Sequence, residues 1–404
     1  MKYLYHTIFF MSIFHAHLFA LNVKLLQEYP VDISFCIVDL KYNKPHLKIC
    51  EFGEGIYSGF YGYDCLMGKA SMWKHFRNFL KSQNIPLFFL NKKCKKKKDY
   101  CATTTRLTTI VCRDLSMLED NALFQALCSD EKNKGPSKNI TDALGLVISE
   151  FPHHVARSLQ KKHPSLIILD DVTRTFVLSK LMTQLLFIDD PELERYRPQC
   201  VIVPKRYTKG MAKQIINKLK SQYCVIKPTG AYKGRGILFV PAKDLETTLA
   251  VILQPDKMFD VHTKELPHGQ PYGYWRHEKG KYAMVESCET SQPIEVEGNH
   301  YDATMRVAFG ITYEQGIIDI TFFGAYWKLP TRALEGPGSI AQKSQSHIRM
   351  GKECSAKVDP KTYQEVTSIL RKILPRVYLK MIAARHSKEL FTYLKHGLSS
   401  KNIP

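Results

Sequence analysis

The chain lacks regularly spaced cysteines. Its 404 residues include 11 cysteines, an odd number, and no two of them are separated by two residues or combined with histidines at zinc-ligand spacing. The sequence therefore argues against a zinc module and offers no regular disulfide framework. Cysteines on apolar segments, such as Cys36 and Cys224, are predicted to be reduced core residues.

No hydrophobic run is long enough to cross a bilayer. The longest candidate is the stretch from Ile8 to Phe14, and His15 and His17 weaken the apolar character of the residues after it. A basic residue before this stretch and small residues after it are typical of a signal peptide. Residues 1–20 are therefore interpreted either as a signal peptide or as an N-terminal apolar segment that is retained.

Acidic residues are scarce relative to basic ones. The chain has 38 Asp and Glu against 58 Lys and Arg, a formal net charge of +20. Part of the excess lies in the lysine run Lys92–Lys98, where no aromatic side chains interleave as stacking platforms for bases would. We interpret the run as a solvated loop, with a nucleic-acid surface as the alternative. The remaining excess favours acidic substrates such as nucleotides or carboxylates.

A strand ending in a lysine precedes a glycine-rich loop. The stretch from Tyr223 to Val240 predicts a strand that ends at Lys227, a loop with Gly230, Gly234 and Gly236, and a second strand. The loop is too short for a phosphate-binding P-loop, and no helix follows it as the dinucleotide fingerprint requires. A loop of this kind can close its backbone N–H groups on phosphates. An ordinary glycine-rich hairpin is the alternative.

Three further features come in order along the chain. A strand-like segment ends in Glu286-Ser-Cys-Glu289, a later strand carries Arg306, and Lys328 follows in the segment Gly324-Ala-Tyr-Trp-Lys-Leu-Pro330. Together with the strand and loop at Lys227, this order resembles that of the ATP-grasp ligases, in particular glutathione-synthetase-like and tubulin-tyrosine-ligase-like members. The resemblance covers residues 171–328, somewhat under half of the chain.

The resemblance implies a role for each matching residue. Lys227 and the loop would contact nucleotide phosphates, the segment after the strand would bind adenine, and Glu295 or Glu297 would bind the ribose. Arg306 would hold the transferring phosphate, and Lys328 would add a second catalytic cation. The nucleotide-binding set implied in this way is Lys227, Lys233, Gly234, Arg235, Gly236, Glu286, Ser287, Cys288, Glu289 and Glu295.

The metal ligands depart from the family pattern. The resemblance implies ATP and Mg²⁺ as cofactors, with a late acid-x-Asn motif supplying a magnesium ligand. No acidic residue after Lys328 has an Asn two positions later. Asp319 is the remaining carboxylate that we predict as a metal ligand, and an exposed strand residue is the alternative. Nucleotide binding is accordingly better supported than turnover.

The predicted fold class is α/β (α+β), with a Rossmann-like pre-ATP-grasp domain at residues 21–170 and a two-lobed ATP-grasp domain at residues 171–404. The C-terminal part of the second domain is expected to be incomplete relative to the family. Asp170 and Asp171 are predicted to cap one long helix at the junction, whose apolar face runs from Phe176 to Leu186. A later helix, from Tyr363 to Ala384, is predicted to break or kink at Pro375.

Three functions remain open from the sequence. The first is an ATP-dependent carboxylate–amine ligase acting on small-molecule or peptide substrates. The second is a nucleotide-binding pseudoenzyme, and the third, based on charge alone, is a basic nucleic-acid-binding protein. A cytoplasmic location is favoured because ATP is scarce outside cells. Secretion, or delivery into another cell, is the alternative that the apolar N-terminus suggests.

Overall fold

The computed structural model describes residues 29–56, 60–90, 100–101, 109–112, 115–129, 135–149, 153–188, 190–230, 234–254, 272–346 and 352–386. The predicted segment at residues 1–20, the lysine run Lys92–Lys98 and Lys233 lie outside these ranges. The chain forms two compact units. The first comprises Met1–Phe35, Lys74–Val172 and Gly310–Thr321, and the second comprises Cys36–Trp73, Thr173–Phe309 and Phe322–Pro404.

Strands and helices alternate through much of the chain, which is a mixed α/β (α+β) protein. The strands are β1 (Asp32–Asn43), β2 (His46–Glu54), β3 (Leu87–Leu90), β4 (Tyr100–Cys101), β5 (Thr109–Cys112), β6 (Gly145–Ser149), β7 (Leu166–Ile168), β8 (Cys200–Pro204), β9 (Tyr223–Pro228), β10 (Leu238–Pro241), β11 (Tyr282–Ser287), β12 (Ile294–Val296), β13 (Asn299–Tyr301), β14 (Thr304–Glu314), β15 (Ile317–Lys328) and β16 (Ser355–Lys357). The helices are α1 (Tyr61–Met67), α2 (Ser71–Ser82), α3 (Leu115–Glu119), α4 (Ala122–Ser129), α5 (His153–Lys162), α6 (Arg174–Val177), α7 (Lys180–Phe187), α8 (Pro191–Glu194), α9 (Met211–Leu219), α10 (Leu245–Leu253), α11 (Gly273–His277), α12 (Ile340–Ser344) and α13 (Pro360–His386).

The first unit contains a mostly parallel sheet. Its strand order is β4-β5-β3-β6-β7, in which β3 pairs in parallel with both β5 and β6, and β6 with β7. Parallel neighbours need crossover connections, and helices α3 to α5 supply them between β5 and β7. Phe88 of β3 and Phe124 of α4 meet edge to face in the core of this unit, with ring centroids 5.2 Å apart.

The second unit contains an antiparallel four-stranded sheet that carries the predicted glycine loop. Its order is β10-β9-β11-β8, and β9 and β10 form the predicted hairpin. Alternate residues of the strands face opposite sides. Cys224 and Ile226 lie on the side that packs against α9, α10 and α11, whereas Val225 lies on the other side with Phe239 and Ala341. Lys227 therefore belongs to the second side.

A five-stranded sheet of order β16-β15-β14-β1-β2 carries the other predicted cations. The β1–β2 pairing is antiparallel and has an irregularity next to Asp39, where Cys50 of β2 has no partner on β1. Arg306 lies on β14 and Lys328 at the end of β15, so the strand order places both cations near the middle of this sheet.

Two predictions about helices are wrong. The long helix expected after Asp170 is divided into α6 and α7, because the Ser179 side chain accepts from the Met182 N–H and caps a new helix. Asp170 caps neither helix, since its carboxylate accepts from the backbone N–H of Phe35 at 2.6 Å. The helix α13 continues through Pro375 to His386, so the predicted break does not occur, and a kink at Pro375 stays a prediction. The domain boundary at residues 170–171 stays a prediction.

Among the helices within the described ranges, none combines the length and apolar character needed to cross a membrane.

Gly62 is predicted to be required by close packing of α1. A Cβ atom at this position would meet Ser355 Oγ and lie 2.8 Å from Cε2 of Tyr326. We expect Gly62→Ala to lower the free energy of unfolding by about 1–3 kcal/mol, as overpacking does, despite the better helix propensity of alanine. Chemical denaturation would measure this change.

Gly273 provides the matched control, since it begins α11 and a Cβ there would meet nothing within 4 Å. Gly273→Ala should be neutral or stabilising. Equal effects of the two substitutions would contradict the packing argument.

Candidate functional site

Lys227 and Glu286 form a buried ion pair in the second unit. Nζ of Lys227 lies 2.5 Å from Oε2 of Glu286, and the exposed fractions of the two side chains are 10% and 2%. Burial lowers the pKa of Lys227, but the charge of Glu286, the nearby Cys50 and the hydrogen bond to Glu286 together raise that pKa above its ordinary value. The structure thus brings together two residues that the resemblance assigned to separate parts of a nucleotide site.

The register of the antiparallel strands explains this contact. On β9, Lys227 lies opposite Met284, and on β11, Glu286 lies opposite Val225. Lys227 and Glu286 are therefore diagonal neighbours on one face of the sheet, a separation that long side chains bridge. The apolar residue that precedes each of them on its own strand points to the other face of the sheet, where it packs against helices.

Arg197 also contacts Glu286. Its Nη2 atom lies 3.2 Å from Oε1 of Glu286, while its Nε donates to Oε1 of Gln184 at 2.9 Å and its Nη1 donates to the carbonyl of Ile49 at 2.7 Å. The guanidinium lies 5.6 Å from the centroid of the Phe187 ring. Only 3% of the Arg197 side chain is exposed, so three acceptors and a ring hold the guanidinium in one orientation.

A β-bulge at Cys50 provides backbone acceptors to this site. Cys50 is the extra residue, because consecutive residues of β1 pair with Glu51 and then with Ile49. Its carbonyl accepts from Nζ of Lys227 at 3.4 Å, and the Ile49 carbonyl accepts from Arg197. Bulges redirect backbone groups that a regular ladder would use. Here the carbonyls of Cys50 and Ile49 face the two cations that share Glu286.

Asp39 binds both Arg306 and Lys328. The Nε and Nη2 atoms of Arg306 lie 2.7 and 2.8 Å from the two carboxylate oxygens, and Nζ of Lys328 lies 3.0 Å from one of them. Burial raises the pKa of the Asp39 carboxyl, but the two adjacent positive charges hold it well below its usual range. Burial and the Arg306 charge lower the pKa of Lys328. Burial also raises the pKa of Tyr326, which lies beside Arg306, to about 12.

A third buried pair joins Lys41 and Asp302. Nζ of Lys41 lies 2.8 Å from Oδ1 of Asp302 and also donates to the carbonyl of Ser344 at 3.3 Å. The same Oδ1 accepts from the backbone N–H of Ser291 at 2.7 Å. The other carboxylate oxygen of Asp302 is buried and has no hydrogen-bond partner among the described residues. Lys41 lies two residues after Asp39 on β1, so both side chains share one face of that strand.

These contacts form three groups of buried ion pairs, which together have more cations than carboxylates and which we call the charged network. Its members are Lys41, Arg197, Lys227, Arg306, Lys328, Asp39, Glu286 and Asp302. Five cations face three carboxylates, an excess of two positive charges among these described residues. Lys180 and Glu51 pair at 3.2 Å nearby and leave the excess unchanged. Because uncompensated buried charge is costly, this excess favours binding of an anion.

A small cavity lies beside the Glu286 pair. Its lining includes Lys180, Arg197, Lys227, Glu286 and Cys50, and its accessible volume is about 10 Å³. That volume corresponds to about one water molecule. The charges of the lining fit a phosphate, whereas the space does not. A nucleotide would therefore have to displace protein groups, and the Lys227–Glu286 contact lies directly in the lining.

The predicted glycine loop has a firmly held base. Gly234 and Gly236 both have φ of 71°, a conformation that favours glycine. A Cβ on Gly236 would lie 2.6 Å from Cδ1 of Tyr274, and the Gly236 carbonyl accepts from Nε1 of Trp275 at 2.8 Å. Arg235 is exposed. The described part of the loop is thus anchored on the α11 side, and Lys233 lies outside the described residues.

The predicted adenine-binding segment uses some of its donors within the protein. The N–H of Ser287 donates to the carbonyl of Gln199 at 2.9 Å, and the N–H of Cys288 donates to that of Tyr223 at 3.1 Å. The Ser287 hydroxyl donates to Oε1 of Glu289 at 2.6 Å. Burial raises the pKa of the Cys288 thiol to about 12. These two N–H groups would therefore not be the ones that contact adenine.

Three predicted residues lie at the surface. Glu295 lies on β12 opposite His300, and Glu297 occupies the following turn with φ of 52°. Asp319 is exposed on the part of β15 that belongs to the first unit, with one carboxylate oxygen 3.5 Å from the Thr321 hydroxyl. Within the described ranges, no three His, Cys, Asp or Glu side chains gather as metal ligands would.

Four members of the charged network were not singled out from the sequence. Asp39 and Lys41 are charged residues within a largely apolar strand, a signal that could have revealed them. Asp302 precedes the strand that carries Arg306, and nothing in its local sequence distinguishes it from a loop residue. Arg197 precedes β8 in an irregular segment and likewise carries no local signal.

Asp39 is predicted to stabilise the fold in a pH-dependent way. Asp39→Asn would leave two cations buried without their counter-charge and should lower the free energy of unfolding by about 3–5 kcal/mol near neutral pH. Because the folded-state pKa lies below the unfolded value of about 3.9, the carboxylate's contribution is present above that value and is lost as the pH falls below about 4. The difference in unfolding free energy between wild type and variant should therefore shrink in acid.

Asp319→Asn is the control for this measurement, because the Asp319 side chain is exposed. It should change the free energy of unfolding by less than about 0.5 kcal/mol at all pH values. A pH-independent cost of Asp39→Asn, or the same cost for both variants, would contradict the ion-pair interpretation.

The sequence matches no protein-family model, and no curated protein is similar enough to match it. Solved structures do resemble the chain. One is the crystal structure of a protein from Methylobacillus flagellatus KT to which gamma-glutamylcysteine synthetase activity is attributed, with 8% identity, a TM-score of 0.38 and 92% of each chain covered. Another is a glutathione synthetase-like effector from Globodera pallida in its apo form, with 10% identity and a TM-score of 0.35, covering 76% of this chain and 77% of the other.

Proposed function

We propose that the chain binds ATP at the charged network and acts as an ATP-grasp-type carboxylate–amine ligase. One observation carries the binding part of this proposal. The buried network has two more positive than negative charges, and an anionic ligand would compensate them. The order of Lys227, the glycine loop, Glu286 and Arg306 along the chain supports a nucleotide as that anion.

Each cation would act on a different part of the bound nucleotide. Lys227 would turn from Glu286 to a phosphate, and backbone N–H groups of the glycine loop would approach the same phosphates. Lys328 and Arg306 would face the transferring phosphate from the neighbouring sheet. Asp39 would hold the Arg306 guanidinium in a fixed orientation, so that little reorganisation is needed when charge builds up on phosphoryl oxygens.

The reaction is the one that the resemblance implies. ATP, when bound, supplies the phosphoryl group that activates a substrate carboxylate for attack by an amine, and ADP and phosphate leave. The substrates would be a small-molecule or peptide carboxylate and an amine. The buried cations would neutralise the negative charge on the phosphoryl oxygens.

Magnesium does not fit the charged network as it stands. Each of its carboxylates already contacts an ammonium or guanidinium group, whose positive charge would repel a metal ion. Asp319 stays the proposed ligand from the sequence, and it lies outside this network.

A nucleotide-binding protein without turnover is the second candidate. The observation that favours it is the same pairing of every network carboxylate with a cation, because phosphoryl transfer to a carboxylate usually needs metal ligands beside the phosphates. A nucleic-acid-binding role has less support, since the network cations are buried and a phosphate backbone would need exposed ones.

Lys227→Ala tests the binding site. We expect ATP affinity to fall by about 1.5–3 kcal/mol, the scale of a lost charge-assisted contact. The variant should still fold, because Arg197 keeps the Glu286 carboxylate compensated. Isothermal titration with ATP would measure the change. Lys44→Ala is the control, since Lys44 is exposed and paired with Glu365. Unchanged affinity in folded Lys227→Ala would refute the assignment.

Arg306→Lys tests the ligase reaction. A lysine side chain cannot make the two parallel hydrogen bonds that an arginine guanidinium can donate. If Arg306 acts on the transferring phosphate, turnover should therefore fall much more than ATP affinity. ADP release with Mg²⁺, screened across carboxylates and amines, is the measurement. Wild-type protein that binds ATP but releases no ADP would favour the second candidate. ADP release that persists in Asp319→Asn would remove Asp319 as the metal ligand.

A further inference from the structure

Glu286 divides its carboxylate between two cations that differ in how firmly they are held. Oε1 contacts Arg197 at 3.2 Å, and Oε2 contacts Lys227 at 2.5 Å. Glu286 is 2% exposed, so both contacts are shielded from water. A carboxylate in this position can lose one partner and stay compensated by the other.

The two cations differ in their remaining contacts. Arg197 also donates to Gln184 at 2.9 Å and to the Ile49 carbonyl at 2.7 Å, so its guanidinium stays fixed without Glu286. Besides Glu286, the described residues offer Lys227 one acceptor, the bulge carbonyl of Cys50 at 3.4 Å. The flexible lysine side chain is therefore the partner that can turn away.

We infer that Glu286 is an internal counter-ion of Lys227 that a phosphate replaces, and that Arg197 is the positioning residue that retains Glu286 when this happens. The inference rests on the proposed role of Lys227. Before the exchange, Lys227 is paired with Glu286, and after it, Lys227 is paired with phosphate while Glu286 remains on Arg197. In both states, each of the three side chains has a partner of opposite charge. Without Arg197, phosphate binding would leave the Glu286 carboxylate buried without a cationic partner. The free-energy cost of that state would weaken binding of the phosphate.

Glu286→Gln tests the exchange, because the amide has the shape of the carboxylate but does not compete for Lys227. Inorganic tripolyphosphate and ATP are the probes, measured by isothermal titration. We expect both to bind roughly tenfold more tightly to this variant, since the competing charge-assisted contact is gone. Lys227→Ala in the same background should abolish the gain. The control is Glu54→Gln, which removes another buried, arginine-paired carboxylate of this unit and should not tighten binding.

Arg197→Gln tests the positioning role. It should weaken tripolyphosphate binding roughly tenfold in the wild-type background but change it less than about twofold in the Glu286→Gln background, because Arg197 acts through Glu286. If Arg197 had only a structural role, its substitution would weaken tripolyphosphate binding equally in both backgrounds. If thermal unfolding shows that Arg197→Gln does not fold, Arg197→Lys replaces it, and it should weaken binding less but with the same dependence on Glu286.

The outcomes separate this inference from the proposed function. Wild-type protein that shows no Lys227-dependent binding of ATP or tripolyphosphate would refute the proposed function itself. Lys227-dependent binding that is unchanged or weaker in Glu286→Gln would overturn the exchange and leave the proposed function standing. Equal costs of the Arg197 substitution in both backgrounds would overturn its positioning role alone.

Discussion

The compensation of buried charge is the constraint on which this site depends. Cations on β9, β14 and β15 point into regions with little water, where an isolated charge would be unstable. Glu286 and Asp39 make those positions tolerable, each by binding two cations at once. Because each carboxylate is shared, every one of these cations has an acidic partner although acidic side chains are fewer than basic ones. The excess of positive charge is then a property of the folded core as well as of the composition, and it is available to a ligand.

The same arrangement limits how a ligand can bind. A phosphate gains little from a lysine that is already neutralised, unless the internal carboxylate stays compensated after it loses that lysine. The fixed arginine beside Glu286 meets that condition. Asp39 is likewise shared by an arginine and a lysine, but Arg306 contacts both of its carboxylate oxygens, at 2.7 and 2.8 Å. We therefore expect the Glu286 side of the network to adapt to a ligand and the Asp39 side to keep its geometry. Such a division suits a site in which nucleotide enters and leaves while the reacting phosphate is held in a constant frame.

Local patterns in the sequence predicted the secondary-structure elements, whereas contacts between residues far apart in the sequence form the site. The β9–β10 hairpin and the strand that carries Arg306 are expected from alternation and glycines, and the structure confirms them. The helix after Asp170 was predicted wrongly, because Ser179 starts a new cap within an apolar pattern that continues past it. The partners of the cations could not be predicted, since Asp39 lies 267 residues from Arg306 in sequence and Arg197 lies 89 from Glu286.

A one-residue bulge in β2 brings backbone carbonyls into contact with the cations of Glu286 within the second unit. Cys50 interrupts the β1–β2 ladder, and its carbonyl and that of Ile49 turn towards Lys227 and Arg197. Asp39 lies opposite Glu51 at the start of the same irregularity. Cys50, the residue that disturbs the ladder, therefore lies next to the pairing position of Asp39, and its own carbonyl contacts Lys227. Strand irregularities of this kind occur where they aim functional groups, and at this one the carbonyls of Cys50 and Ile49 give Lys227 and Arg197 acceptors besides Glu286.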